Sequence, residues 1–229
     1  MQKFVLAAVA IAVLAVPVRA QEIVVTGARR TAAVQQISGV GIKRRADFAV
    51  VNVRIYGDTR DRDARRKEIL DTVRAAIELG ASGRIALAYG GEVIQPLTLA
   101  NYRDKLKFEK DDDRDDAEEV AFFVKTPLEG DNALAAIDRL TAFVKAVPKI
   151  GRALMEETGE PGVSIVNPSQ YRAQIIAAIA ADANAAARAF GEGYVAEAGQ
   201  LTQPVRWALL GPTEVLLYIE HDLRVVPRR

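Results

Sequence analysis

The sequence predicts an α+β fold in which a mixed or antiparallel sheet carries three helices packed on it. Two observations support this fold class. Three segments, 61–79, 132–147 and 169–190, show the apolar spacing and the ends of helices. Between them, short β-branched runs occur as adjacent pairs, which favours hairpins over a purely parallel sheet. Half of the residues are hydrophobic, so the chain can bury a core.

The first elements are two strands and a helix. Residues 22–27 are β-branched and end in glycine, which predicts a short strand. Residues 48–56 alternate from Val51 onward, which predicts a strand with one buried face. The helix of 61–79 is expected to begin after Asp58 or Thr59 as its cap and to end at Gly80.

The middle of the chain contains a run of charged residues between predicted strands. Residues 84–89 and 92–99 read as strands separated by Gly90-Gly91, whereas 103–119 is so charged that we expect a solvated loop or a strand extension. A buried strand follows at 120–124. Asp131 is then expected to cap the helix of 132–147, and 163–166 predicts another short strand.

The last third begins with an alanine-rich helix. Ser169 is expected to cap it, and Gly191 and Gly193 to end it near Phe190. Its small side chains suit either ordinary packing on the sheet or a contact between subunits. Strands are predicted at 207–210 and 214–226, with Gly211-Pro212 as the turn between them. We expect residues 21–229 to form a single domain.

Residues 1–20 have the features of a secretory signal peptide. Lys3 precedes an apolar run from Phe4 to Val16, and Val18-Arg19-Ala20 ends in the small residue that signal peptidase requires. The run is shorter than the roughly 20 residues of a membrane-spanning helix. We therefore predict cleavage after Ala20, a periplasmic protein and no transmembrane anchor after cleavage; the alternatives are an uncleaved anchor or a buried helix. Association with the outer membrane is left open.

Charge and cysteine content exclude several classes of protein. Without Lys3 and Arg19 the chain has 29 basic and 30 acidic residues, a balance that argues against a nucleic-acid partner. The chain contains no cysteine, which excludes disulfides, thiolate metal sites and thiol catalysis.

The residues offer little for catalysis. His221, the only histidine, precedes Asp222 in the predicted last strand, and such a pair can orient a general base only beside a nucleophile. None of the serines lies in a G-x-S-x-G elbow; they are Ser38, Ser82, Ser164 and Ser169. We therefore predict no catalytic, cofactor-binding or metal-binding residues and no cofactor. A hydrolase built on His221 and Asp222 ranks last among the alternatives.

Two short patterns resemble ligand loops without matching them. Asp111, Asp113 and Asp115 alternate as in a calcium loop, but the positions that need glycine and glutamate hold Asp116 and Phe122. A loose calcium site stays open as an alternative to a solvated charge run. Gly39-Val40-Gly41 lacks the further glycine of a phosphate loop and reads as a turn before a strand.

Two resemblances to known families follow from particular segments. Residues 22–29 are similar to the start of the plug domain of TonB-dependent outer-membrane receptors, but this chain is too short for their barrel, so the match is local. A longer series of motifs follows the chain in order: Ile23–Gly27 or Ile37–Gly41 as V-x-G-x-G, Ala46-Asp47-Phe48-Ala49 before a strand, Val120–Lys125 before a helix, Asp182-Ala183 in the alanine-rich helix, and Glu214–Pro227 at the end. In order and spacing the series resembles the SIMPL-domain (DUF541) family of bacterial periplasmic proteins. Ala46 in place of the usual proline and the acidic 103–119 run depart from that pattern.

The SIMPL resemblance implies a SIMPL-like α+β protein of the cell envelope without an established enzyme activity. Some members of that family form ring-like or hollow oligomers, and some are linked to oxidative-stress tolerance. We therefore expect a non-enzymatic protein that self-assembles as a homo-oligomer, has an envelope protein partner, and acts in envelope maintenance or oxidative-stress tolerance. The alternative is a periplasmic module that binds a small ligand or a peptide.

Overall fold

A computed structural model describes residues 21–26, 40–110, 116–130 and 132–228. Several residues of the sequence analysis lie outside these ranges. They are the signal peptide of 1–20, Ser38, Gly39, Asp111, Asp113, Asp115 and Asp131. The predictions made for cleavage and for the loose calcium site therefore stay predictions.

The described residues form an α+β fold with antiparallel sheets. The strands are β1 (Glu22–Thr26), β2 (Ile42–Arg45), β3 (Phe48–Gly57), β4 (Ala86–Gly90), β5 (Val93–Leu97), β6 (Glu109–Lys110), β7 (Glu118–Pro127), β8 (Leu154–Val166), β9 (Tyr194–Gly199), β10 (Val205–Leu209), β11 (Glu214–Ile219) and β12 (Asp222–Pro227). The α-helices are α1 (Arg62–Ser82), α2 (Tyr102–Lys105), α3 (Ala133–Ala146) and α4 (Arg172–Phe190). Three of these helices correspond to the predicted ones, and the fourth, α2, is a short helix in the charged run.

Six strands close into a barrel instead of forming an open sheet. Their order is β3-β8-β1-β5-β4-β7, and β7 pairs with β3 to complete the ring. The closure is uneven, because β3 and β7 pair along their whole length, from Phe48↔Pro127 to Gly57↔Glu118, whereas β1 and β5 share only Glu22↔Ile94 and Ile23↔Val93. The short strand β6, which is not part of the ring, pairs with the first two residues of β7.

Successive side chains of each strand point alternately to the outer and the inner face of the barrel. Val51, Val53 and Ile55 of β3 belong to the main core, together with Ile69 and Val73 of α1. Val50 faces the other way, which in a closed barrel is the interior. There it forms a second, smaller cluster of residues: Val24, Val50, Ala88 and Ile94, with Phe48 and Phe123 packed against them.

Two smaller sheets and α4 complete the fold. Strand β11 pairs with β10 and β2, and β9 pairs with β12 in a two-stranded ribbon. Helix α4 packs on this ribbon and on β11 and β2 through Ile175, Ile179 and Ala183. A two-stranded ribbon is only marginally stable alone, so the packing of α4 supports it.

The ends of the helices differ from the predictions at several residues. The cap of α1 is Asp61, which accepts a hydrogen bond from Ala64 N, and not Asp58 or Thr59. Gly80 does not end α1: the helix runs on to Ser82, and a Cβ on Gly80 would lie 2.7 Å from the carbonyl oxygen of Ile85. This glycine therefore permits a close approach of backbone to backbone.

The later helix starts also differ. Asn132 caps α3 by accepting from Ala135 N at 3.0 Å. Ser169 lies in a short 3₁₀ helix, Pro168–Tyr171, and α4 starts only at Arg172. The end of α4 at Phe190 with Gly191 as its cap is confirmed.

The strand predictions miss or shorten several elements. Strand β8 begins at Leu154, well before the predicted 163–166, and β2 and β9 were not predicted at all. The predicted strand of 214–226 is two strands that belong to different sheets. The breaks at Gly90-Gly91 and Gly211-Pro212 are confirmed.

Candidate functional site

The structure does not assemble the predicted His221–Asp222 pair with a nucleophile. His221 lies between β11 and β12 instead of inside a strand, and its Nδ1 is 2.8 Å from the carbonyl oxygen of Ile219. The carboxyl oxygen Oδ1 of Asp222 is buried, with no hydrogen-bond partner among the described residues. No hydrogen bond of the described chain joins the two side chains, so the arrangement of a base and its orienting acid is not seen.

Ser164 is instead part of a buried polar trio inside the barrel. Its hydroxyl donates to Glu22 Oε1 at 2.6 Å, and it is fully buried. Lys125 forms an ion pair with the other oxygen, Glu22 Oε2, and lies 4.3 Å from the ring centre of Phe48. Both charged side chains are about nine-tenths buried.

This trio holds three strands of the barrel together. Ser164 is on β8, Glu22 on β1 and Lys125 on β7, so the ion pair crosses the ring. A buried charge is tolerated when it is paired and its remaining atoms are hydrogen-bonded, which is the case for Glu22. The Ser164 hydroxyl has no exposed surface through which a substrate would reach it. The geometry thus suits a structural ion pair.

A second charge cluster joins α1 to β7. Glu118 accepts hydrogen bonds from Arg65 Nε at 3.1 Å and from Arg66 Nη2 at 2.6 Å, and Arg62 Nε lies 3.4 Å away. Burial raises the pKa of Glu118, but the hydrogen bonds from Arg66 and Arg65 outweigh it, so the pKa lies below its ordinary value. Glu118 is therefore ionised and fixes the first turns of α1 on the end of β7.

An apolar pocket of about 270 Å³ opens beside the start of α3. Ala133 and Ile137 of α3 form one wall, and the other walls come from β8 and from the β10–β11 turn. Glu160 is the one charged residue in its lining. Pockets with mostly apolar walls and few polar groups are typical of small-ligand sites. Nothing in the sequence pattern marked this pocket, because its walls come from distant segments.

Besides the apolar pocket, an exposed aromatic surface, here termed the aromatic tip, lies where α4 meets the ribbon. Phe190 is 64% exposed and Tyr194 39% exposed, and their ring centres are 5.8 Å apart. An open cleft of about 620 Å³ lies next to them, with Arg188, Arg228 and Glu192 in its lining. The fold thus brings together two aromatic residues that no sequence motif marked as a site.

Another exposed surface, here termed the alanine ridge, lies on the solvent face of α4. The buried face consists of residues four apart: Ile175, Ile179, Ala183 and Ala187. On the opposite side an exposed row has the same spacing and contains only alanine: Ala173, Ala177, Ala181, Ala185 and Ala189. Packing on the sheet therefore accounts for one face of this helix and leaves the other open.

The described residues contain neither a metal-binding cluster nor a membrane-spanning helix. No group of three or more histidine, cysteine, aspartate or glutamate side chains is placed to hold a metal ion in the ranges that the structure describes. Within the same ranges, no helix has both the length and the apolar content needed to cross a bilayer.

Comparison of the chain with protein-family models, with curated proteins and with solved structures finds no match.

Proposed function

We propose that this chain is a non-enzymatic, SIMPL-like exported protein that self-associates in the periplasm and acts in envelope maintenance or oxidative-stress tolerance. The alanine ridge of α4 is the observation that carries the self-association. The resemblance to SIMPL-domain proteins and the signal-peptide pattern support the rest of the proposal.

The alanine ridge suits contact with a second helix. Residues four apart form ridges that fit into the grooves of another helix, and small side chains let the two backbones approach closely. Alanine also loses no side-chain rotamer freedom when it is buried. The opposite face of α4 already packs on the strands through Ile175 and Ile179, and the ridge is exposed among the described residues, so it is open to a second helix.

Light scattering on the exported protein tests the self-association. We expect a mass above that of the monomer, and we expect Ala181→Arg, in the centre of the ridge, to shift the protein toward the monomer. Ala81→Arg adds the same charge to an exposed alanine of α1 and should leave the mass unchanged. A monomer at high concentration would contradict the proposal, as would equal effects of the two substitutions.

The export part has a separate test. Mass spectrometry of the protein recovered from the periplasm should show a chain that starts at Gln21. A purified chain that retains Met1 and stays in the cytosol would overturn it.

For the stress part, a strain without the protein should tolerate peroxide less well than its parent, and restoring the gene should restore tolerance.

The apolar pocket favours a second candidate, a binding module for a small apolar ligand. Its volume of about 270 Å³ accommodates an alkyl chain, and Glu160 in its lining suits a ligand with a cationic group. This candidate needs no catalytic residues either, so it is compatible with the buried state of Ser164.

Thermal unfolding with and without decylamine tests the pocket. A ligand that binds only the folded state raises the unfolding temperature. Ala133→Leu places extra atoms in the pocket and should abolish the rise, whereas Leu134→Ser, at an exposed neighbour outside the lining, should not. Decanoate, which carries the opposite charge, should stabilise less. No stabilisation by either compound would count against this candidate.

A further inference from the structure

We infer that the aromatic tip is a docking surface for a phospholipid bilayer with anionic head groups. It goes beyond the proposed self-association, which rests on a different face of α4, and does not depend on it. Three features support it: the exposed rings, the hydrogen-bonded turn that carries them, and the cations beside them.

Phe190 and Tyr194 expose aromatic surface together. Their rings are tilted by 50° with centres 5.8 Å apart, so they form one apolar patch. Exposed aromatic residues are costly in water, and aromatic rings are favoured at the boundary between head groups and acyl chains. Tyr194 in addition has a hydroxyl that can stay among the head groups while its ring is buried.

The turn that carries the rings is fixed by the backbone. Gly191 adopts φ +107°, a conformation that glycine permits, and its N–H donates to the carbonyl of Arg188 at 3.1 Å. Tyr194 N–H donates to Gly191 O at 3.2 Å, and Arg228 N–H donates to Gly193 O at 2.7 Å. The backbone that carries the rings is therefore ordered before it meets a partner, which lowers the entropic cost of binding.

The charges at the tip are suited to lipid phosphates. Arg188 and Arg228 line the adjacent cleft, and neither has an ion-pair partner within the described part of the chain. Glu192 lies in the same lining and opposes one of these charges. On the ribbon, Arg224 and Glu197 face each other across the two strands and balance. One guanidinium group can bind two phosphate oxygens at once. These arginines can therefore contact lipid head groups while the aromatic rings insert into the bilayer.

Sedimentation with vesicles tests this inference. The probes are vesicles of phosphatidylcholine alone and of phosphatidylcholine with phosphatidylglycerol, mixed with protein recovered from the periplasm after expression of the full chain. We expect the protein to sediment with the anionic vesicles, less with the neutral ones, and less again at high salt. All variants carry the same N-terminal residues, so differences between them report on the tip.

Two sets of variants separate the contributions. Phe190→Ser with Tyr194→Ser should lower the partition onto anionic vesicles by more than about tenfold. Arg188→Gln with Arg228→Gln should lower it by about fivefold for each charge and remove the preference for the anionic lipid. Leu134→Ser, which removes an exposed apolar side chain from α3, should leave partition unchanged. Circular dichroism and thermal unfolding verify that each variant is folded.

Three results would overturn the inference. The protein would fail to sediment with either vesicle, the serine variant would bind as the wild type does, or Leu134→Ser would have the same effect. If the serine variant changes the mass seen by light scattering and vesicles are not bound, the tip is a protein contact instead. A protein that binds vesicles and stays monomeric would support the membrane surface while contradicting the proposed self-association.

Discussion

Gly151 is placed where the loop before β8 touches α1. Glu68 of α1 accepts hydrogen bonds from Thr59 Oγ1 at 2.7 Å and from Arg152 N at 3.0 Å, and thereby ties the loops on either side of it to the helix. Gly151 has φ +58°, and a Cβ added there would overlap the Glu68 carboxylate. The left-handed backbone favours glycine, and a side chain here would displace the Glu68 carboxylate from Thr59 and Arg152.

We predict that Gly151→Ala lowers the free energy of unfolding by about 2–4 kcal/mol, from the left-handed backbone and the steric overlap together. Denaturant unfolding measures this. Gly130→Ala is the matched control, because Gly130 has φ +59° and the described residues place no atom within 4 Å of the added Cβ. Its free energy of unfolding should fall only by the cost of the left-handed backbone. Equal decreases for the two variants would contradict the steric explanation.

At this scale the sequence predicted backbone breaks better than polar contacts. Gly90, Gly91 and Gly191 were placed correctly, because glycine and turn chemistry are local signals. The trio of Glu22, Lys125 and Ser164 was not predicted, since Glu22 is 103 residues from Lys125 and 142 residues from Ser164 in the chain. Only the pairing of the strands brings them together.

The attachment of α1 to β7 depends on Glu118, and its lowered pKa gives the attachment a pH dependence. A carboxylate whose folded pKa is depressed contributes stability above its unfolded pKa, and that contribution is lost as the pH falls through the folded value. The ordinary pKa of glutamate, about 4.3, sets the upper end of that range.

We therefore predict that Glu118→Gln destabilises the protein at neutral pH, where the ionised carboxylate holds Arg65 and Arg66, and that the difference from the wild type narrows below about pH 4.3. Urea unfolding at a series of pH values measures both effects. Glu78→Gln, on the exposed side of α1, corrects for the loss of one negative charge. A difference that stays constant with pH would contradict the ionic explanation.

The long helices were predictable, and several strands were not, for a physical reason. Helices α1, α3 and α4 each have apolar residues at helical spacing within one segment, and α1 and α3 also have side-chain caps there. The first part of β8 contains Glu156, Glu157 and Gly159 and is stabilised by its neighbour β3, not by its own pattern. Strand β2, which consists of one isoleucine and basic residues, similarly depends on β11.

For the molecule as a whole, β1 is the strand that joins β8 to β5 within the barrel. It pairs with β8 over its full length and with β5 at two positions, and it buries Ile23 and Val24. The N–H of Val24 also donates to the carbonyl of Glu92 at 3.0 Å. Loss of β1 would expose the interior cluster and leave Lys125 without its partner.

We predict that Val24→Pro lowers the free energy of unfolding by more than about 3 kcal/mol, because proline removes this donor and does not fit within a paired strand. Thermal unfolding monitored by circular dichroism measures the effect. Val24→Ala retains the N–H and isolates the loss of the side chain, so it should be milder. If the two substitutions cost the same, β1 does not contribute through its backbone pairing.

The closed barrel was beyond sequence reasoning, although the α+β class and its antiparallel strands were not. Closure depends on β7 pairing with β3 on one side and β4 on the other, and these are contacts between distant segments. The pattern of each strand is the same in an open sheet and in a ring. The candidate surfaces show the same limit: the alanine content of α4 was visible in the sequence, whereas its exposed row, the pocket and the tip required the fold.

The short pairing between β1 and β5 determines where the barrel opens locally in solution. A ring of strands opens first where the fewest backbone pairs must separate, and here two residue pairs and the neighbouring Val24–Glu92 hydrogen bond join β1 to the β5 side. Their amide hydrogens should exchange with deuterated solvent sooner than those between β3 and β7, whose pairing runs along ten residues. Interior residues such as Ile94 would then meet water through this gap long before the protein unfolds as a unit.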